Sequence, residues 1–340
     1  MQKISFSGKV KIAISVALII LVLLFSDMGS IAEAMADVNW GLILVVVVLY
    51  LANLVVKAYR WGVLVQSTGN KMPFRSIFAT FTFSQALNNI IPGRVVGETS
   101  RIYEVKKREG MGVGTSLATI VTERLMDFMV VTVLAITSLV MLFAYLSEDL
   151  ADQLLLVVSF LVVLNFFLIY VLIDPAIARK VCDWCVNIVN RLHLGSKGDK
   201  LNEMMIGFVT SFSSAVNTKE RKNGRYIWYA GALTIGIWTN EIVRTWLIME
   251  ALGAEVTVLA VVATCSLASL SGIMLSAGSG NVVVSSAIYT ASGLEPEIAA
   301  TAGVLSAMTS IWLSVPVSII AILAHDRKAR VKKFPEMANK

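Results

Sequence analysis

Apolar runs of about 20 residues recur along this chain, the length a helix needs to cross roughly 30 Å of hydrocarbon at about 1.5 Å per residue. The runs are continuously apolar, whereas the strands of a membrane barrel alternate in short segments of about ten residues, so the spans are read as helices. Of the 340 residues, 56% are hydrophobic and 15% charged, with a mean hydropathy of +0.75. That balance excludes a soluble enzyme or a nucleic-acid-binding domain.

The charges give the orientation. Acidic residues without Lys or Arg mark four breaks: Asp27, Glu33 and Asp37; Glu148, Asp149 and Asp152; Glu250 and Glu255; Glu295 and Glu297. Basic residues crowd the N-terminus, Lys57 to Arg75, Arg94 to Arg108, Arg179 to Arg225 and the tail from Arg327. Of the 29 Lys and Arg, only Arg124 and Arg244 fall elsewhere. By the positive-inside rule the basic breaks face the cytoplasm, which places the chain in the cytoplasmic (inner) membrane as a multi-pass protein with both termini inside. Retention of Val10 to Phe25 as a first span is favoured over a signal peptide, because the small-residue site at Ala32 to Ala34 lies well beyond it.

Six full spans fit: Val10 to Phe25, Trp40 to about Arg60, Gly112 to Leu146, Leu154 to Ile173, Tyr226 to Met249 and Ile298 to Ala324. Ser76 to Ile91 begins and ends among basic residues, and Val258 to Ala291 among acidic ones. Each is predicted to enter and leave on one side, turning near Pro92-Gly93 and at Ser276 to Asn281. The predicted fold is an all-α polytopic membrane protein with six transmembrane helices and two re-entrant hairpins. Non-helical backbone at that depth requires a protein or water-filled surrounding, so the turns point to a cavity.

A full span precedes and follows each hairpin, which suggests an inverted repeat: about 40–146, a cytoplasmic linker of about 174–225, then about 226–324, all in one domain. Arg60 and Arg244, and Gly69 and Gly253, share one offset, which also lays Pro92 on Ser276. In such architectures the site lies where the repeats meet, so Ser279 and Asn281 of the second turn join the site candidates.

Asn53, Lys57 and Arg60 form one helical stripe, for which snorkelling of Lys57 and Arg60 to the cytoplasmic interface is the favoured reading. Glu123 and Asp127 share a face, with Arg124 adjacent, inside a long apolar helix and should face the bundle or water. Glu241 and Arg244 form an i, i+3 pair beside Asn240. The first hairpin carries Gln85, Asn88 and Asn89, then Arg94, Glu98 and Arg101, a mixture of amides and guanidinium groups suited to a phosphate head group. Cys182, Cys185 and Cys265 complete no metal site. Gly110 to Gly114 follows a charged helical stretch rather than a strand, and His193 and His325 lie in linkers, so neither an enzyme nor a cofactor is expected.

Asn89-Ile90-Ile91-Pro92-Gly93-Arg94-Val95-Val96-Gly97-Glu98, then Arg101 and Glu123-Arg124-Leu125-Met126-Asp127, with Arg60-Trp61 ahead of them, resemble the lysylphosphatidylglycerol synthase transmembrane region, or flippase-like, family. The resemblance covers nearly the whole chain. It departs at the second hairpin, which reads Ser276-Ala277-Gly278-Ser279-Gly280 with Val283 in place of Glu, and near Ala307, where an Arg is expected. The resemblance implies movement of phospholipid-linked or polyprenyl-phosphate-linked head groups across the membrane. Arg94, Glu98 and Arg101 are then expected to meet the head group, while Glu123, Arg124 and Asp127 shape the cavity. The expected partners are that lipid and a separate transferase or glycosyltransferase. A competing reading makes the chain a non-transporting scaffold for such an enzyme, using the amphipathic linker from Arg179 to Arg225. Single cysteines at Ile102 and Lys106 should be labelled by an impermeant thiol reagent only from the cytoplasmic face; labelling from outside would make the first hairpin a crossing.

Overall fold

The computed structural model describes residues 36–91, 95–142, 221–271 and 279–325, with isolated helical residues between 159 and 184. The described residues are helical throughout, with no strand among them. Helix α1 is Trp40–Ser67, α2 Phe74–Ile90, α3 Val95–Glu109, α4 Val113–Leu142, α5 Arg221–Ala251, α6 Val258–Ser271, α7 Ser279–Ala291 and α8 Pro296–Ser306. The last continues through a π-helical stretch, Ala307–Trp312, into a single apolar helix reaching His325. The runs Val10 to Phe25 and most of Leu154 to Ile173, the linker before Arg221 and both chain ends lie outside the described residues.

Local chemistry sets the helix ends. The Asn39 side chain accepts from the backbone N–H of Gly41 and Leu42 at 3.1 and 3.2 Å, satisfying two amides that the first turn of α1 leaves open. Gly69, Gly110, Gly253 and Gly293 close α1, α3, α5 and α7 at φ of 65° to 93°, a conformation that a Cβ penalises. At 28 residues, α1 runs past Arg60, where the hydropathy ended it, and at about 42 Å exceeds the hydrocarbon thickness.

The long helices α1 and α5 form the spine and run antiparallel. The Asn39 N–H bonds the Ala251 carbonyl at 2.8 Å, Asn53 meets Ile237 midway, and Arg60 meets Thr234. The first apolar run expected to form a hairpin is the single helix α2, packed on the charged α3 that follows it, whereas the second holds two short helices, α6 and α7, packed on one another. Hairpin α6–α7 packs also on α4, and α2 reaches the π-helical stretch of α8. Phe74 and Val258, which open α2 and α6, are 184 residues apart.

Side-chain polarity is arranged inside out. Leu44, Val48, Leu51, Val55, Ile235, Ile319, Ile320 and Leu323 face outward, while Asn53, Arg60, Arg101, Glu123 and Arg244 are buried. A soluble fold does the reverse, and hydrocarbon around the helices makes this arrangement the favourable one.

Helices α2 and α3 approach so closely at Gly97 that a Cβ there would lie 2.1 Å from Asn88 Oδ1 and 2.3 Å from the Ser84 carbonyl. Gly231, within α5, has nothing within 4 Å of its would-be Cβ. Gly97→Ala should therefore lower the unfolding temperature of the detergent-purified protein by several degrees, whereas Gly231→Ala should leave it level or raise it slightly through helix propensity.

Candidate functional site

Three helices contribute charge to one buried knot. Arg60 comes from α1, Glu98 and Arg101 from α3, and Glu123, Arg124 and Asp127 from α4. The Glu123 carboxylate is divided: Oε1 accepts from Arg60 Nη2 at 3.2 Å and Oε2 from Arg101 Nη1 at 2.6 Å. Arg60 also donates to both oxygens of Asp127, at 2.5 and 2.9 Å, and to Thr234 Oγ1 at 2.9 Å. Arg124 pairs with Glu98 and lies 3.8 Å from Asp127. Arg101 is 0% exposed, and its guanidinium carbon lies 4.8 Å from the ring centroids of both Trp61 and Phe81. Stacking of that kind offsets part of the cost of removing a cation from water.

The knot balances, with three guanidinium groups against three carboxylates. It also has depth. Arg60, Arg101 and Glu123 are at most 1% exposed, whereas Glu98, Asp127 and Arg124 are 18%, 20% and 31% exposed. Asn88 donates to Glu98 at 3.3 Å, and the Trp238 indole N–H of α5 reaches Asp127 at 3.4 Å.

A second cluster bridges α1 and α5. Glu241 accepts from Arg244 at 2.6 Å and from Asn53 at 3.3 Å, and lies 3.8 Å from the Lys57 ammonium. Arg244 is buried, with its guanidinium carbon 5.1 Å from the Tyr50 ring centroid. Beside this cluster a cavity opens among α5, α6, α7 and α8. Its walls carry the carboxylate of Glu241, the thiol of Cys265, and the hydroxyls of Thr245, Thr264, Ser285 and Tyr289.

The predicted site residues thus separate into groups. Glu98, Arg101, Glu123, Arg124 and Asp127 come together in the knot, and Glu241 and Arg244 in the second cluster. Asn89 instead joins α2 to the helix beyond the π-helical stretch, donating to Ser314 Oγ at 2.9 Å. Arg94 lies outside the described residues, as do the side chains of Ser279 and Asn281, whose backbone opens α7. Arg60 does not snorkel to the interface: its carboxylate partners lie on α4, 63 and 67 residues away, and draw it inward. Thr234, Phe81 and Trp238 carry no local signal of their part in the site.

Outward-facing apolar helices around a buried ionic interior define an α-helical membrane protein. The chain belongs to the lysylphosphatidylglycerol synthase TM region family, which it matches over residues 10–318. It is similar to a UPF0104 membrane protein of Methanothermobacter thermautotrophicus, 26% identical over 93% of this chain and 94% of that protein. UPF0104 membrane proteins of Pyrococcus horikoshii, 23% identical over 93% and 96%, and Methanocaldococcus jannaschii, 24% identical over 98% and 99%, are also similar. No solved structure matches the chain.

Removing one partner from a buried ion pair strands the other, at about 3–5 kcal/mol. Arg101→Ala should cost that much in denaturant unfolding of the detergent-solubilised protein. Arg101→Met combined with Glu123→Gln should cost clearly less than the two single changes together, since no bare carboxylate then remains.

Proposed function

We propose that this chain is a transporter, not an enzyme, and that it moves a phospholipid or polyprenyl-phosphate-linked head group between the leaflets of the cytoplasmic membrane. The observation that carries the reading is the partly exposed edge of the ionic interior. Lys57 and Glu241, 24% and 26% exposed, adjoin the partly exposed Asp127, Glu98 and Arg124 through Arg60 and Trp238. Charges on apolar helices retain that exposure only beside water or a polar ligand, so the edge serves as a lane along which a head group passes while its acyl chains stay in lipid. The buried Arg60, Arg101 and Glu123 hold the wall of that lane rigid.

In this reading α1 to α4 and α5 to α8 are the halves of an inverted repeat, each with a re-entrant hairpin. Their antiparallel first helices and the 184-residue spacing of Phe74 and Val258 support that arrangement, which alternates access by rocking one half against the other. A separate transferase or glycosyltransferase would supply or consume the head group.

Proteoliposomes containing the purified chain should accelerate leaflet exchange of fluorescent phosphatidylglycerol or a polyprenyl phosphate over protein-free vesicles. Arg124→Gln, at the exposed edge, should reduce the rate at least severalfold. Exchange equal to that of empty vesicles for every such lipid would overturn the transport reading.

A further inference from the structure

Two apolar cores lie along α1. One surrounds its first turns and joins the end of α5 to α6, α7 and the first part of α8, through Tyr289, Ala299, Ala302 and Leu305 among others. The other surrounds the rest of α1 and joins it to α2 and α3, and Leu313 and Val317 pack against it from beyond the π-helical stretch. Among the described residues only α1 and α8 contribute to both cores. Helix α1 passes between them as an unbroken α-helix of 28 residues. Helix α8 does not, because Ala307–Trp312 falls between Leu305 and Leu313.

Each part of α8 is fastened to a different neighbour. Before the π-helical stretch, Gly303 rests on the backbone of α7, where a Cβ would lie 2.9 Å from Val282 Cα and 3.0 Å from its carbonyl oxygen. Beyond it, Ser314 Oγ accepts from Asn89 at the end of α2 at 2.9 Å, and the same amide reaches the Ile311 carbonyl, inside the stretch, at 3.5 Å.

Between these fastenings the helical ladder is loose. The Ala307 N–H is shared by the carbonyls of Gly303 and Val304, the Leu313 N–H falls back on the Ser310 carbonyl, and the Val317 N–H reaches the Leu313 carbonyl only at 3.4 Å. The hydroxyls of Thr309 and Ser310 donate to the carbonyls of Leu305 and Ser306, in competition with the main chain. A π turn closes its bonds over five residues instead of four and so holds one residue more than an α turn. Each N–H there can exchange one carbonyl for its neighbour without being left bare, and helices bend at such places.

We propose that Ala307–Trp312 is a joint. The α6–α7 pair, carried with the first part of α8, rotates about α1 and slides against α4, while the second part of α8 stays with α1 and α2. The unbroken α1 is the axis, and the π-helical stretch takes up the change in length and direction between the two cores. The small polar cavity walled in part by Ala302 and Ser306 adjoins the joint and gives its first turn room and hydrogen-bonding partners. The joint deepens the transport reading and rests on it for what the motion serves; the packing argument does not depend on what is carried.

The test is pulsed electron spin resonance on the purified full chain in nanodiscs of phosphatidylethanolamine and phosphatidylglycerol, with Cys182 and Cys185 replaced by Ser and the buried Cys265 kept. One spin-label pair, Thr290→Cys on α7 with Ile320→Cys, spans the joint; the other, Val55→Cys on α1 with Ile320→Cys, lies on one side of it. All three positions face outward. The pair across the joint should give two distances about 5 Å apart, and the other pair a single one. Deleting Met308, whose side chain is exposed, removes the extra residue and should leave a regular α-helix with Ser314 still beside Asn89. The deletion variant should keep or raise its unfolding temperature, collapse the distances across the joint to one, and lose lipid exchange severalfold. A single narrow distance across the joint in the wild type, or two distances persisting in a folded deletion variant, would overturn the proposal; the wild-type distances decide alone if the deletion variant does not fold. Two distances without exchange of any lipid would sink the transport reading and leave the joint, whereas exchange by a wild-type protein with a single distance would do the opposite.

Discussion

The carboxylate of Glu123 is the tie on which the first half of the molecule depends. Its two oxygens go to different helices, one to Arg60 of α1 and one to Arg101 of α3, so a single side chain of α4 fixes the separation of three elements. In hydrocarbon there is no hydrophobic drive between helices, because lipid tails are as apolar as leucine. Shape complementarity and polar ties must then hold the bundle. A shared carboxylate serves well here, since neither arginine can leave without stranding a charge in a low-dielectric interior. The aromatic faces of Trp61 and Phe81 on either side of Arg101 complete the enclosure and keep water from competing for the pair.

The second part of the chain shows similar local features without such a tie. Its short helices pack on one another, its first helix lies antiparallel against α1, and its glycines at Gly253 and Gly293 end helices as Gly69 and Gly110 do. Where the first half is filled by Trp, Phe, Arg and Glu, however, it has Thr, Cys, Ser and a π-helical stretch. Such stretches occur where a helix has accommodated an extra residue, often next to a working site. Both parts bury charge, and the second adds a small polar cavity beside its Glu241–Arg244 pair.

Much of this was legible in the sequence because membrane constraints are severe. Runs of apolar residues gave the helices, and the Arg60–Arg244 and Gly69–Gly253 coincidences pointed to a spacing that Phe74 and Val258, at the starts of α2 and α6, share. Glu123 and Asp127 were expected to face inward because lipid would reject them, and they do. Arg60 was misjudged. Near a helix end a long cation reaches the interface by default, and only partners on α4, remote in sequence, draw it inward instead. The aromatic enclosure of Arg101 was equally hidden, since Trp61 and Phe81 are ordinary apolar residues until the packing of α1 against α2 and α3 brings both rings to the same guanidinium.

The distribution of exposure separates structural from functional charge more sharply than residue type does. Arg101 and Arg124 lie on neighbouring helices, belong to the same network and share Glu98 as a partner, so motif reasoning treats them alike. Yet one is sealed between aromatic rings and the other is nearly a third exposed. A sealed charge can only hold, because reaching it means dismantling its cage. An accessible one can exchange its partner for a ligand of the same sign at little cost, since water already solvates part of it. The proposed head-group contacts are therefore the outer, partly exposed members of each cluster.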